Sequence, residues 1–303
     1  MNSGFIAVLG RPNVGKSSLI NALVGEKVSI VSPKPQTTRD RAFGILTTPE
    51  YQMVFIDTPG VHLPKTMLGK FMNKAAYSAS SDADAVVVVF DGSKPLADAD
   101  FSLLEKNLTR KAKDAAPVYI AVNKTDLAGF KAIYPLLTRL SAYLTETDER
   151  AAVKEIVPIS CRTGENLDKL KGFLAGELRE GICYFPEDEF TDKSVRYQVC
   201  EIVREKALLY LQDEIPHGVG VTVLTMTDEN TLAKIEADIV CEKDSHKQII
   251  IGAGGEQLRQ IGEAARLDIE RMLNKKVFLK LFVKVRKDWR NKKSILEDTG
   301  YGG

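Results

Sequence analysis

The stretch Gly10-Arg-Pro-Asn-Val-Gly15-Lys16-Ser17 decides the fold of the first half of this 303-residue chain. It matches the pattern G-x-x-x-x-G-K-[ST] and stands between a predicted strand, 5–9, and a predicted helix, 16–24. In such a loop the main-chain N–H groups surround phosphate oxygens, the lysine reaches the outer phosphates and the hydroxyl binds magnesium. A glycine-rich turn that binds nothing is the alternative, which the lysine and serine in register disfavour. The predicted nucleotide contacts here are Gly10, Asn13, Val14, Gly15, Lys16, Ser17 and Ser18.

Short apolar runs alternate with helical patterns as far as residue 180. We predict further strands at 42–48, 52–57, 85–91, 118–123 and 156–160, and helices near 66–80, 98–113, 130–147 and 165–180. This alternation predicts an α/β fold, a mostly parallel sheet with helices on both faces. Such sheets bind ligands beyond the carboxyl ends of their strands, where the motifs below also lie.

Two further motifs follow predicted strands. In Asp57-Thr-Pro-Gly60 we expect Asp57 to hold the metal through water and the Gly60 N–H to sense the γ-phosphate. In Asn123-Lys124-Thr-Asp126 a carboxylate at Asp126 can accept from both guanine N1–H and the 2-amino group. Adenine would leave that carboxylate buried and unpaired, which costs several kcal/mol. Asn123 is expected to tie this loop to the phosphate-binding loop 10–17, called the P-loop, and Lys124 is expected to pack on the purine. We therefore predict GTP and GDP as ligands.

Two loops complete the predicted nucleotide site. After the last strand, Ser160 and Cys161 begin a loop whose N–H groups could donate to guanine O6. The polar loop 33–40 lies where a segment ordered by γ-phosphate and magnesium is expected. Within it we predict Thr38 as a metal ligand, with Thr37 as the alternative. The predicted Mg²⁺ ligands are Ser17, Thr38 and Asp57.

The residue after the Asp-x-x-Gly motif is Val61, where many signalling GTPases have a glutamine that orients the attacking water. We therefore predict that Asn13 helps to bind a monovalent cation, K⁺, near the β/γ bridge. His62 as a general base is the less favoured alternative. Arg39 and Arg41 are expected to be solvated rather than bound to phosphate. The predicted catalytic residues are Lys16, Thr38, Gly60 and Asn13.

The pattern changes after residue 180, which predicts a GTPase domain at 1–180, a linker at 181–194 and a second domain at 195–303. In the second domain we expect a helix at 195–211, strands at 219–227 and 231–243, a helix at 256–273 and a strand at 277–285. Residues 248–251 are predicted as a strand that leads into Gly252-Ala253-Gly254-Gly255. A Gly-x-x-Gly loop before a helix clamps about four single-stranded nucleotides in KH domains, here of type II.

A basic segment supports nucleic acid as the partner. Residues 271–293 hold ten lysines and arginines against one acid, Asp288, although the whole chain has a net charge of only +1. Lys280 and Lys284 share one face of a strand, and a base could stack on Trp289 while the cations meet phosphate. The predicted RNA-binding residues are Gly252, Ala253, Gly254, Gly255, Lys280, Lys284, Arg286 and Trp289.

Composition excludes several classes of protein. A hydrophobic fraction of 44% and a charged fraction of 27% are typical of globular proteins, and no apolar run approaches the ~20 residues of a membrane-spanning helix. The first residues lack the pattern of a signal peptide. The four cysteines have no Cys-x-x-Cys spacing, so we expect free thiols. These features predict a cytoplasmic protein.

The motifs together resemble the Era family of GTPases. The P-loop, Gln36-Thr-Thr-Arg39, the strand-end motifs, Tyr184-Phe-Pro-x-Asp188, Gly252-x-x-Gly255 and Lys284-Val-Arg-Lys-Asp-Trp289 stand in family order. The resemblance covers nearly the whole chain, and the KH half separates this family from related GTPases. It implies binding to the 3′ end of 16S rRNA, GTP-dependent control of that binding, and assembly of the 30S ribosomal subunit. It also implies loose association with the cytoplasmic face of the membrane, and we expect a monomer.

Two departures from the family pattern stand out. Gly254 occupies a position where the family often has a lysine, which would weaken the phosphate clamp, and Cys161 replaces the usual alanine. Two other functions stay open at this stage. One is a GTPase whose C-terminal domain docks a protein or an anionic membrane, and the other is an RNA-binding scaffold with negligible turnover.

Overall fold

The computed structural model describes residues 1–34, 37–59, 83–108, 116–146, 153–213, 215–293 and 296. These residues form two compact units. Unit 1 comprises Met1–Ser29, 40–59 and the described residues of 83–192. Unit 2 comprises the described residues of 30–39 and those from Lys193 onward. A short piece of the first half of the chain, 30–39, therefore packs with the second half.

Unit 1 is built on a twisted, mainly parallel sheet. Its strands are β1 (Asn2–Gly10), β2 (Ala42–Thr47), β3 (Tyr51–Asp57), β4 (Ala85–Asp91), β5 (Val118–Asn123), β6 (Val153–Pro158) and the short β7 (Arg179–Glu180). The spatial order is β2-β3-β1-β4-β5-β6. Strand β2 is antiparallel to β3, and β7 pairs antiparallel with the start of β1, whereas the other pairs are parallel. The carboxyl ends of β1, β3, β4 and β5 thus meet at one edge.

Five described helices flank this sheet: α1 (Lys16–Val24), α2 (Asp98–Leu108), α3 (Thr125–Ala128), α4 (Phe130–Glu146) and α5 (Leu167–Ala175). Because side chains alternate along a strand, the two faces of the sheet carry two cores. Helices α1 and α5 pack on one face, where Leu19 and Leu170 are fully buried. Helices α2 and α4 pack on the other, through Leu104 and Leu140. The predicted α/β fold of this half is confirmed.

Most predicted elements agree closely with those observed in unit 1, but the helix predicted near 165–180 ends at Ala175, and Arg179–Glu180 form strand β7, which pairs with β1. Helix α1 and strands β4 and β5 have the predicted bounds, while β6 begins three residues earlier, at Val153. The helix predicted at 98–113 is described to Leu108. The helix predicted near 66–80 lies outside the described residues.

Unit 2 has one three-stranded sheet covered by helices. Its elements are α6 (Val195–Tyr210), β8 (Gly220–Asp228), β9 (Leu232–Cys241), α7 (Asp244–Ile251), α8 (Glu256–Leu273) and β10 (Lys276–Val285). Strand β9 lies in the centre, antiparallel to β8 and parallel to β10. Ile261, Ala265 and Ile269 of α8 are fully buried against the sheet, as the apolar stripe predicts. The order α-β-β-α-α-β is that of the type II KH fold, as predicted.

The prediction of a strand at 248–251 is wrong, because these residues form the last turn of helix α7. Three consecutive isoleucines favour a strand by propensity, yet only Ile250 is fully buried, while Ile249 is 51% exposed. Less exposed positions at 246–247 and 250–251 flank the exposed pair 248–249, and this spacing of about four residues is typical of a helix that packs along one side. The glycine loop therefore joins two helices.

The residues predicted as a linker are bound along the edge of the unit 1 sheet as far as Asp192. The buried side chain of Gln52 organises this contact, since its Oε1 accepts from the N–H groups of Tyr184 and Phe185 and its Nε2 donates to Phe185 O. Further along, Ile45 N donates to Phe190 O at 2.9 Å. The last part of unit 1 thus covers strand β2, an edge that would otherwise have unpaired main-chain groups.

None of the helices in the described ranges is long and apolar enough to cross a membrane. The four cysteines, Cys161, Cys183, Cys200 and Cys241, are free thiols. Burial raises the pKa of Cys161 and of Cys200 to about 12. Both thiols are therefore protonated at neutral pH and are poor nucleophiles.

Candidate functional site

The P-loop connects β1 to α1 in a conformation that requires glycine at two positions. Gly15 has φ of 101°, and a Cβ on it would lie 2.2 Å from Nδ2 of Asn123. A Cβ on Gly10 would lie 2.7 Å from Val89 O. Both positions exclude any side chain, so the loop keeps its main chain close to the end of β4 and to the loop after β5. Val14 of this loop is buried, with 4% of its surface exposed.

Lys16 lies inside this loop and is 6% exposed. Its Nζ donates to Gly10 O at 3.1 Å and to Arg11 O at 3.2 Å. Burial lowers the pKa of Lys16 to about 8, against the opposing effect of the Asp57 carboxylate. The ammonium group is thus held by neutral carbonyl oxygens in a site that disfavours its charge. A polyphosphate that enters the loop would supply the missing negative charge.

Ser17 and Asp57, two of the predicted magnesium ligands, are brought together. Ser17 Oγ donates to Asp57 Oδ2 at 2.8 Å. Asp57 is fully buried, which raises its pKa, while Lys16 and the Ser17 hydroxyl act in the opposite direction. Its other oxygen, Oδ1, is buried with no hydrogen-bond partner among the described residues. A hydroxyl and a buried carboxylate with a spare oxygen fit a small, hard cation such as Mg²⁺.

The other predicted residues of the metal and γ-phosphate site are not placed beside Ser17 and Asp57 by any described contact. Thr38 belongs to the segment 30–39, which packs within unit 2. Gly60, Val61 and His62 lie outside the described residues. Their roles, and that of Thr38 as a ligand, stay predictions.

Asn123 ties the base-recognition loop to the P-loop, as predicted. Its Nδ2 donates to Val14 O at 3.0 Å, and its Oδ1 accepts from Cys161 N at 3.2 Å. Lys124, the next residue, has a left-handed φ of 69°. Its Nζ donates to Asn13 O at 2.8 Å, which directs the side chain back toward the P-loop. Three separate loops are thereby fixed to one another.

Asp126, the predicted guanine acceptor, has a side chain that is only 9% exposed. Ser160 Oγ donates to its Oδ1 at 2.7 Å. Arg162 Nη2 lies 2.8 Å from its Oδ2. Because the Arg162 side chain is 70% exposed, this ion pair is weak, and the edge of a base can replace it. Asp126 and Ser160 are therefore in contact, with Cys161 next to Ser160 in the chain, and their roles toward guanine stay predictions.

The sequence reasoning missed Asp91, which ends β4. Its Oδ2 accepts from Lys124 Nζ at 2.6 Å. Burial alone would raise the pKa of Asp91, but hydrogen bonds from Lys124 and Ser93 lower it below its usual range. The carboxylate therefore fixes the lysine that is predicted to pack on the purine. Its position at the carboxyl end of a buried strand was the available signal.

The Gly252–Gly255 loop of unit 2 requires glycine for conformational reasons. Gly252, Gly254 and Gly255 have φ of 75°, 60° and 82°. A Cβ on Gly252 would lie 2.7 Å from Cβ of Gln257, whereas one on Gly254 or Gly255 would meet nothing within 4 Å. The open side of the loop precedes α8, whose first N–H groups have no partner within the helix. A main chain without side chains at a helix N-terminus can approach a phosphate closely.

Much of the basic segment is neutralised by acids from elsewhere in unit 2. Lys284 Nζ lies 2.7 Å from Asp238 Oδ2, and Lys280 Nζ lies 3.6 Å from Glu236 Oε1. The other paired cations and acids are Arg271 with Asp268, Lys275 with Asp228, Lys276 with Glu270, and Arg290 with Glu242. The charge excess counted along the sequence thus overstates the free positive charge. Lys280 and Lys284 remain about half exposed, so a phosphate could still compete for them.

The structure contradicts two expectations about single residues. Trp289 is fully buried, and its Nε1 donates to Gly218 O at 2.9 Å, so its ring is not available for a base to stack on. Arg39, expected in solvent, is 1% exposed. Arg286 N donates to Cys241 O at 2.8 Å, which continues the pairing of the β9 and β10 ends, and the role of its side chain toward RNA stays a prediction.

The fold and the site together define a P-loop GTPase joined to a KH domain. A family model described as a 50S ribosome-binding GTPase matches residues 5–124, and one described as a KH domain matches residues 214–290. The GTPase Era of Clostridium acetobutylicum is 46% identical over 299 residues, which is 99% of this chain and 97% of that protein. GTPase Era of a Clostridium botulinum strain is 45% identical, with 99% and 98% covered. The chain belongs to the Era family of GTP-hydrolysing enzymes.

Solved structures of the family are also similar over the full length. A crystal structure of Era with MgGDPNP and nucleotides 1506–1542 of 16S ribosomal RNA has a TM-score of 0.92 and 36% identity, with 100% of each chain covered. A point variant of Aquifex aeolicus Era bound to GDP·AlF4⁻ gives the same TM-score, identity and coverage. Those proteins were crystallised with the ligands named.

Proposed function

We propose that this chain is a GTP-controlled RNA-binding protein that recognises the 3′ region of 16S rRNA and acts in assembly of the 30S ribosomal subunit. Membership of the Era family supports this, as does the similar Era crystallised with nucleotides 1506–1542 of 16S rRNA. The observation that carries the proposal is the open loop at Gly254 and Gly255, where nothing lies within 4 Å of an added Cβ. Such a bare main chain before a helix is what a KH domain offers to single-stranded RNA.

The nucleotide half of the proposal assigns Mg²⁺ to Ser17 and Asp57, with Thr38 as the protein ligand from the segment 30–39. The Era structure with MgGDPNP supports Mg²⁺ and a GTP analogue as ligands, and the one with GDP·AlF4⁻ supports GDP. Magnesium neutralises charge on the phosphate oxygens, while Lys16 and the loop N–H groups hold them in place. We further propose K⁺ as a stimulating ion held with the help of Asn13. Identical GTP turnover in potassium and sodium buffers would disprove that part.

We place the protein in the cytoplasm as a monomer that associates loosely with the cytoplasmic face of the membrane. The family resemblance supports the membrane association, while the cytoplasmic location and the monomer remain our predictions. Size-exclusion chromatography tests the oligomeric state, and fractionation of cells tests the location. The domain bounds 1–180, 181–194 and 195–303 are likewise our proposal. Limited proteolysis tests them: cleavage throughout 181–194 supports these bounds, whereas cleavage confined to 193–194 moves the boundary to the end of the packed segment at Asp192.

The RNA-binding proposal is tested by filter binding of a single-stranded RNA that copies the 3′ end of 16S rRNA, at several salt concentrations. The variant is Gly254→Asp with Gly255→Asp, which places two negative charges in the open loop. Gly252 is left unchanged, because an added Cβ there would meet Gln257 at 2.7 Å and disturb the fold. We expect the affinity for RNA to fall roughly a hundredfold or more, because the two aspartate carboxylates would repel the two phosphates that approach this loop.

The matched control is Asn230→Asp with Thr231→Asp, which adds the same charge to an exposed turn between β8 and β9. This control should keep most of the RNA affinity. If wild-type protein fails to retain RNA but sediments with anionic lipid vesicles, the membrane-docking alternative is correct instead. Phosphate release with and without the RNA separates the proposed switch from a scaffold with negligible turnover.

A further inference from the structure

The described residues of the segment 30–39, called here the switch segment, are held by helix α6 of unit 2. Val31 N donates to Glu205 Oε1 at 2.9 Å. Arg204, a fully buried residue of the same helix, donates from Nη2 to Thr37 O. The part of the chain that carries the proposed ligand of the γ-phosphate metal therefore packs with the KH fold.

The strongest anchor of the switch segment is Arg39. Its Nη1 donates to Val219 O at 2.6 Å and its Nη2 to His217 O at 3.1 Å. The guanidinium carbon also lies 5.8 Å from the centroid of the Trp289 ring. Two main-chain acceptors and an aromatic face fix both the position and the orientation of a planar cation. The residue is 1% exposed, so the two carbonyl groups take the place of water at Nη1 and Nη2.

The partners of Arg39 join two ends of the KH sheet. His217 and Val219 belong to the turn that precedes β8, and Trp289 follows β10. Trp289 is itself tied to this turn, since its Nε1 donates to Gly218 O. The arginine and the indole therefore hold the same turn from two sides, and a change at Arg39 changes the packing of this corner of the KH domain.

We propose that Arg39 is a positioning residue through which the bound nucleotide influences the KH domain, an inference that rests on the proposed function. Thr38 is its immediate neighbour, and adjacent Cα atoms are about 3.8 Å apart. Binding of Thr38 to Mg²⁺ beside GTP constrains the main chain at Arg39. The contact of Arg39 with Trp289 and the binding of Mg·GTP are therefore linked, so each shifts the other by the same factor.

The tryptophan provides a direct measurement, because Trp289 is the only one in the chain. Its emission is recorded in the full-length protein on addition of Mg·GDPNP or Mg·GDP, with excitation at the red edge, where tyrosines do not contribute. We expect Mg·GDPNP to change the emission of the wild-type protein, and Mg·GDP to change it less. In Arg39→Ala, the nucleotide-dependent change should disappear. This measurement needs no RNA, so it distinguishes failure of the coupling from failure of RNA binding.

The matched control is Arg41→Ala. Arg41 lies two residues further on, but its guanidinium carbon stacks 4.8 Å from the centroid of Phe43 within unit 1. This variant removes the same side chain from the neighbouring part of the chain and should keep the wild-type emission change. Arg39→Lys keeps the charge but lacks the fork that serves two carbonyl groups, so it should show a reduced change. Thermal melting of each variant confirms that it is folded.

The second readout is the affinity for the 16S rRNA 3′-end RNA with GDPNP and with GDP. In wild-type protein we expect the two dissociation constants to differ by about five- to 150-fold, the usual range of coupling between sites. In folded Arg39→Ala the ratio should approach one, and in folded Arg39→Lys it should lie between one and the wild-type value. An unchanged Trp289 emission in the wild type, or a wild-type ratio in folded Arg39 variants, would overturn the proposal.

Discussion

The side-chain amide of Asn123 donates a 3.0 Å hydrogen bond to the main-chain oxygen of Val14, which fastens the base-recognition loop to the phosphate loop. The same amide accepts from Cys161 N. Replacing Asn123 by alanine leaves the buried Val14 O without this partner, which costs about 1–3 kcal/mol, and removes the partner of the partly buried Cys161 N, which costs less. We expect Asn123→Ala to raise the dissociation constant for GTP roughly tenfold or more and to lower the melting temperature.

Gln52→Ala is the control for that experiment. Gln52 is also fully buried, and its amide also bonds to main-chain groups, but it stands near the start of β3, five residues before Asp57. Five residues of strand span roughly 16 Å, so this change lies far from the nucleotide. The control should lower the melting temperature while the GTP affinity stays within about threefold of wild type. Equal losses of GTP affinity in both variants would show that Asn123 acts only through stability.

Asp126→Asn tests whether the Asp126 carboxylate recognises the guanine base. The carboxylate can accept two hydrogen bonds from the guanine edge, whereas the side-chain amide of asparagine places an N–H donor opposite the 2-amino group. We expect GTP affinity to fall on the order of a hundredfold or more, since two charge-assisted hydrogen bonds are lost. Xanthine nucleotides have an oxygen at that position, so the variant should bind XTP more tightly than GTP.

Competition of GTP, XTP and ATP for a fluorescent guanine nucleotide measures this change of specificity. Asp168→Asn serves as the control, because the Asp168 side chain is 94% exposed and pairs with Lys171 one turn further along α5. Its nucleotide preference should equal that of the wild type. A variant at Asp126 that loses GTP and gains no XTP would show that the carboxylate does not face the base.

The nucleotide half was predictable because its chemistry lies in short motifs at strand ends. Each motif is local in sequence, and the parallel sheet brings the ends of β1, β3 and β5 to one edge without further information. The contact between Ser17 and Asp57 follows from that topology alone. The Asp91–Lys124 pair does not follow from the topology, because it depends on a left-handed φ at Lys124 that no pattern of residue types specifies.

Burial and pairing of charged residues were the parts that the sequence could not give. A count along the chain treats Lys284 as free, but Asp238, 46 residues earlier, lies beside it on the neighbouring strand. Trp289 and Arg39 are far apart in sequence and both look like surface residues of basic, polar stretches. Both are buried, with the Arg39 guanidinium carbon 5.8 Å from the centroid of the Trp289 ring, and tertiary packing of this kind overrides local composition.

The buried amine of Lys16 predicts a pH dependence of nucleotide binding. Burial lowers the pKa of Lys16 to about 8 in the free protein, and an adjacent triphosphate must raise it. Binding therefore takes up a proton above pH 8, so affinity falls as pH rises through the free-state pKa. The limiting slope is roughly tenfold per pH unit, and below pH 8 the affinity should be flat.

Titration calorimetry at pH about 9, in two buffers of different ionisation enthalpy, counts the protons taken up. Lys16→Arg is the matched variant, since arginine stays charged throughout this range. Guanine also titrates at alkaline pH, but that effect is common to both proteins and cancels in the comparison. Equal proton uptake by the two proteins, or a flat wild-type profile through pH 8, would contradict the assignment.

Gly254→Lys tests whether the missing cation limits the KH loop. Gly254 has φ of 60°, and nothing lies within 4 Å of an added Cβ, so a lysine fits although it is strained by roughly 1–2 kcal/mol. The new ammonium group would face the proposed RNA phosphates. We expect a severalfold gain in RNA affinity at low salt, and a log–log salt slope steeper by about one, because one more phosphate is neutralised.

Gly25→Lys isolates the strain and charge of that change. Gly25 also has a left-handed φ, of 87°, and open space around it, but it ends helix α1 in unit 1. Both variants should lose a similar amount of thermal stability, because the backbone penalty is the same. Only the change at Gly254 should steepen the salt dependence, which filter binding at several salt concentrations measures. A steeper slope in both would indicate nonspecific attraction, and no change in either would place the RNA phosphates away from this loop.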